Sequence, residues 1–172
     1  MRLHTFLTAT SSILLAACSG ADGMGPRVTK LQDALSQAKV SLGQSVQAGE
    51  ASVTGGKAVK AALLVDAAPE YSVGALRSGT LHDVRLDIVS GAVTASNVVG
   101  ASADPCPGSI PLADALPIAE ARMNGTAVSV QPDDDDHCLR EVQVLVGDVL
   151  WEVKLARDGA VLETEKSDSD GD

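Results

Sequence analysis

The feature that most limits what this chain can fold into is an internal repeat. At an offset of 70, Leu42, Val46, Gly49 and Val53 fall on Leu112, Leu116, Ala119 and Met123, and Glu50, Ala51 and Gly55 fall on Glu120, Ala121 and Gly125. These spacings put one apolar stripe on an α-helix, and the glycines sit where each helix should stop. Each half therefore begins with a helix. Ser41-Leu42-Gly43-Gln44 has the form of a capping box, which satisfies the free amides of a first turn, and Pro111 suits the opening position of the second helix. Pro117 breaks the pattern: it lacks a helical donor and is expected to bend the second helix.

The repeat continues into strands. At an offset of 69, Leu76, Leu81, Val84 and Leu86 match Leu145, Leu150, Val153 and Leu155, and at 68 Gly91-Ala92-Val93 matches Gly159-Ala160-Val161. The drift corresponds to single-residue loop deletions. His82 to Asp87 and Trp151 to Leu155 alternate apolar with charged residues, the period of a strand with one buried and one wet face. Residues 58–65, 70–76, 128–131 and 139–146 supply further strands, and turns at 87–91 and 157–159 lead into a short last strand in each half. The expected class is α+β: two tandem helix-plus-antiparallel-sheet units, residues 28–95 and 109–164, joined by a linker at 96–108. Residues 28–40 have helical spacing through Leu31, Leu35 and Ala38 and read as an extra packing helix leading the first unit, with a partner-binding arm as the alternative.

Ser41-Leu42…Glu50, Gly55-Gly56-Lys57-Ala58-Val59-Lys60, Tyr71-Ser72-Val73 and the run from His82 to Val93, with Asp87 four residues before Gly91, resemble the PepSY domain. The second half is similar to a weaker copy, in which Pro111-Leu112-Ala113-Asp114-Ala115, Trp151-Glu152-Val153-Lys154-Leu155 and Gly159-Ala160-Val161 fit but Ala156 replaces the aspartate. The resemblance implies a bacterial envelope module that binds or restrains a peptidase or peptide, with no catalytic residues to carry over. Strands can take up a partner strand at their edges, so the residues expected at such a surface are Tyr71, Val73, His82, Val84, Trp151 and Val153.

The first 17 residues read as a secretory signal, with Arg2 ahead of an apolar run that ends in Ala16 and Ala17. Leu15-Ala16-Ala17-Cys18 resembles the bacterial lipobox, whose cysteine is lipid-modified and becomes the new N-terminus, so Cys18 is the expected anchor to the membrane. Ser19 stands where an inner-membrane retention signal would place Asp, which points to the outer membrane facing the periplasm. Residues 18–27 read as a flexible tether and 165–172 as a disordered acidic tail.

A net charge of −10 has the wrong sign for a nucleic-acid partner, and after the signal only Tyr71 and Trp151 remain as aromatics, too few for a base-stacking platform. With Cys18 lipidated, Cys106 and Cys138 are the remaining thiols, and an exported compartment favours their pairing. That bond closes a 32-residue separation, for which chain entropy gives about 3.5 kcal/mol. Asp133 to Asp136 reads as a solvated loop, with weak divalent-cation binding as the minority reading, since neighbouring side chains in an extended loop diverge. Asp168-Ser169-Asp170-Gly171-Asp172 opens like an EF-hand loop but lacks the later Glu. His82 takes the place of Trp151 in the other half and reads as a packing residue on the helix-facing side. Neither it nor His137 has metal-ligand spacing to another ligand. No nucleophile elbow or phosphate loop occurs, so the expectation is a non-enzymatic binding protein without metal or cofactor. A structural or assembly lipoprotein without a peptidase partner is the alternative.

Overall fold

Pro26 is the first residue of the first helix, where its missing amide costs nothing. The computed structural model describes residues 25–104 and 106–167; the signal, Cys18 and residues 168–172 lie outside them. In chain order the elements are α1 (Pro26–Gln37), α2 (Leu42–Ser52), β1 (Lys57–Leu64), β2 (Glu70–Arg77), β3 (Thr80–Asp87), β4 (Val93–Ala101), α3 (Leu112–Met123), β5 (Thr126–Pro132), β6 (Arg140–Val146), β7 (Val149–Leu155) and β8 (Val161–Lys166). The class is α+β, and all eight strands lie in one antiparallel sheet of order β4-β3-β2-β1-β5-β6-β7-β8. Each helix of the repeat is thus followed by a four-stranded meander, and the two meanders meet along β1 and β5. That seam is short, with only Ala61 opposite Val130 and Ala62 opposite Ser129.

Local chemistry explains the elements. The Ser41 hydroxyl accepts from Gln44 N at 3.2 Å while Gln44 Oε1 accepts from Ser41 N at 2.8 Å, so both arms of the capping box form. Ser78 and Gly79 both have positive φ, the two-residue turn that matches the twist of the β2–β3 hairpin. The helices α2 and α3 pack against one another and against one face of the sheet. Gly49 brings α2 so close to β2 that a Cβ there would lie 2.8 Å from Val73 Cγ1, while Ala119 fills the matching site on α3.

One core runs beneath both helices, from Val73, Val84 and Leu86 through Ala61 and Val130 to Val142, Val144 and Val153. Several boundaries differ from the sequence reading because of it. The halves share a sheet and a core, so no boundary between two cores falls at 96–108. Residues 96–101 belong to β4, whose residues are exposed or half-buried throughout and so lack the alternation that marks a half-buried strand. The tether expected to reach residue 27 ends earlier, at the start of α1, and β8 extends the folded part to Lys166.

The helix α1 ties the halves together at one end of the sheet. Gln32 Nε2 donates to the Gly147 carbonyl in the β6–β7 turn at 2.8 Å, Arg27 donates to Gln143 at 3.1 Å, and Lys39 N donates to Ile88 O beyond β3 at 2.9 Å. The Tyr71 hydroxyl donates to Val40 O at 2.8 Å and pins the chain between α1 and α2. Pro117 leaves α3 continuous as one element to Met123, and Pro111 is its cap rather than its first residue.

Candidate functional site

Period two shows that a strand has two faces without showing which face the helices cover. Tyr71, Val73, Val84 and Val153, expected at a partner surface, are each no more than 1% exposed. They lie in the core, so no partner can touch them. His82 and Trp151 stay half-buried near the two ends of the sheet, on β3 opposite Val98 and on β7 opposite Lys166, and the structure does not bring them together.

An open concavity lies at the seam instead. Beyond Ala61 and Val130 the β1–β5 ladder stops, and Val59 and Lys60 face Gln131 and Pro132 across a cleft of about 340 Å³. Leu81 extends its apolar lining. Ser102 and Ala103 line it from the segment after β4, and Asp134 and His137 from the β5–β6 loop. A volume of this order accommodates one or two side chains of an extended ligand. Register shifts at Ala58/Lys60 in β1 and Ala127/Ser129 in β5 accompany the seam on both sides, and such bulges commonly re-aim side chains beside functional surfaces.

The segments on either side of the cleft are held by a polar cap. Cys106 and Cys138 are joined, with Cα atoms 4.9 Å apart, which ties the segment after Ala103 to the residue after His137. Lys57 Nζ pairs with Asp104 Oδ2 at 3.0 Å, and Asp104 Oδ1 accepts from Cys106 N at 3.1 Å. Burial opposes ionisation of Asp104, but these bonds outweigh it and hold the carboxyl below its ordinary range.

The Asp133 carboxylate accepts from the amides of Asp135 and Asp136 at 3.0 and 2.8 Å. It also lies 3.5 Å from Lys154 Nζ. The Asp136 bond above all lowers its pKa. The four aspartates therefore differ: Asp133 is buried and folds the loop, Asp136 accepts from Cys138 N at 3.0 Å, and Asp134 and Asp135 are exposed. His137 Nδ1 lies 3.0 Å from Asp133 O, and because a carbonyl can only accept, Nδ1 is the donor.

Two charged groups under and beside this cap had no signal in the sequence beyond ordinary strand alternation. Arg140, 1% exposed, donates to Ser109 Oγ and, at 3.3 Å, to His137 O. Burial depresses its pKa, partly countered by the charge of Asp104. On β6 and β7, Glu141 and Glu152 are neighbours; burial and then the Glu141 charge push Glu152 up to about 7. Lys154 Nζ lies 3.8 Å from Glu152 and 3.9 Å from Glu165. Among the described residues, no group of three His, Cys, Asp or Glu side chains is placed to hold a metal ion, and no helix is long and apolar enough to cross a membrane.

The chain matches no protein-family model, and no curated protein matches it. Among solved structures it is similar to a protein of Clostridium difficile 630 provisionally described as a lipoprotein, at 16% identity and a TM-score of 0.47, over 76% of this chain and 95% of that one. A likeness this loose carries no argument about function.

Proposed function

We propose that this chain is a lipid-anchored, non-catalytic binding module of the bacterial envelope, built from two tandem PepSY-like units. In this reading it takes an extended peptide, or a segment of a peptidase, into the cleft at the seam. The observation that carries the reading is the cleft itself: Val59, Leu81 and Pro132 offer apolar contact, while Lys60, Gln131 and His137 offer charge and hydrogen bonds beside them. The tandem reading draws support from matched details. Glu50 accepts from Ala58 N at 2.7 Å and Glu120 from Ala127 N at 3.0 Å, each carboxylate at the end of a helix closing the turn into the next strand.

The anchor is proposed on Leu15-Ala16-Ala17-Cys18, with the lipid on Cys18 and the body facing the periplasm from the outer membrane. Palmitate labelling that survives Cys18→Ala would remove that part. For the cleft, a photo-crosslinking residue at Gln131 or Asp134 of the full chain in its native envelope is expected to capture a peptide or peptidase, identified by mass spectrometry. The same residue at Glu163 on β8 should not. Capture of lipids and porins alone from the cleft positions would overturn peptide binding and favour a structural envelope role.

A further inference from the structure

The sheet ends in two edges of opposite character. On β8 the edge carries Glu163, Glu165 and Lys166, the charges by which proteins keep an open edge from pairing. On β4 there is no charge and no proline in nine residues, and the uncharged run continues on both sides from Ile88 to Ala103. Four of the five exposed large apolar side chains of the described chain are here: Val98 at 67%, Val99 at 62%, Val93 at 43% and, in the preceding turn, Val89 at 41%. An apolar strand edge of this length, left uncovered by the described residues, is a pairing surface.

We propose that β4 pairs antiparallel with β4 of a second copy, about a two-fold axis near Ser96, joining the two eight-stranded sheets at their uncharged edges. The charge distribution selects this occupant. Each copy carries −10, so two copies can approach closely only where neither presents a carboxylate, and β4 is such a place. A basic or acidic strand from another protein finds no opposite charge on β4 to select it, whereas valine, threonine, serine and asparagine are complementary to themselves. An axis at Ser96 brings Val93 of each copy level with Val99 of the other, and β-branched pairs across strands are favourable.

The chain already joins two four-stranded meanders this way, edge to edge and antiparallel, along β1 and β5. The register shifts in β4, between its partners Leu81/His82 and Arg85/Leu86, leave Ala95 to Val98 as the regular stretch on which the contact centres. The β4 edge lies apart from the cleft at the seam between β1 and β5.

The test uses the purified full chain in mild detergent, with Ser96→Cys or Asn97→Cys introduced singly, oxidised and run on a non-reducing gel. The unsubstituted chain run alongside accounts for any band from Cys18. A covalent dimer is expected from at least one of the two variants and not from Thr164→Cys on β8. Adding Val98→Lys, or Val99→Lys in its place, should abolish that dimer while the far-ultraviolet circular dichroism stays unchanged. Sedimentation equilibrium of the unsubstituted chain should give twice the mass of its Val98→Lys form. Absence of a dimer from both cysteine variants overturns the proposal, as does a dimer that survives the lysines or a cross-link formed only to a foreign protein.

Discussion

Replacing Glu152 by Gln is expected to stabilise the protein above neutrality and to leave it unchanged in mild acid. The Glu152 carboxyl is pushed up to about 7 from an ordinary 4.5, first by burial and then by the charge of Glu141 across the β6–β7 ladder. The folded chain therefore holds this proton more tightly than the unfolded chain does. Such a group contributes its stability in full below the unfolded value near 4.5, and that contribution is lost as the pH rises through 7. The displacement corresponds to a ceiling of about 3.4 kcal/mol. Solvent reaches the pair and Lys154 partly compensates it, so about 1–2 kcal/mol is the reasonable size. Gln keeps the shape and the capacity to bond with Glu141 but has no charge to form. Urea denaturation at a series of pH values between 4.5 and 8 should show parent and variant equal at the acid end, and the variant ahead at pH 8 with a flatter dependence between. A Glu152→Gln chain no more stable than its parent at pH 8, or one that keeps the parental slope, refutes the reasoning. Glu163→Gln is the control, because that side chain is exposed and does not contribute to the Glu152 shift.

Removing the disulfide with Cys106→Ser and Cys138→Ser together should lower unfolding stability by about 3.5 kcal/mol in urea, read as a lower midpoint. Glu50→Ala and Glu120→Ala should each cost about 1–3 kcal/mol, because Ala58 N and Ala127 N lose a charged acceptor; costs that differ widely would argue against equivalent roles in the two halves. Pro117→Ala should raise stability by about 1–3 kcal/mol in thermal or urea melts, since this exposed position in α3 gains a helical donor without disturbing the core.

Local chemistry was legible in the chain, and so were the helices and strands that it produces. The Ser41–Gln44 box, the stripe through Leu42, Val46 and Gly49, and the alternation from His82 to Asp87 are each set by residues within one helix or one strand. The union of the halves was not legible, because β1 and β5 meet through two opposed pairs with no local signature. Nor was the covered face: Tyr71 and Val73 alternate as a surface strand would, and only the close approach allowed by Gly49 shows that α2 lies over them. Arg140 and Asp133 follow the general rule that charge faces water until tertiary contacts give each buried group its partners, so no sequence pattern marks them as cap residues. Ser96 to Ala101 read as linker because an edge strand exposed on both faces has no alternation to detect.

The strand order also dictates how the molecule can assemble itself. Every hydrogen-bonded strand pair except one joins neighbours in the chain, so each meander zips through short loops. The exception brings Ala61 to Val130, 69 positions along the chain. Closing that span costs loop entropy, offset by the shared core and the packing of α2 on α3 as well as by two opposed residue pairs. The expected folding order is local pairing within each meander first and the β1–β5 contact last, so this one long-range closure is the step predicted to slow folding.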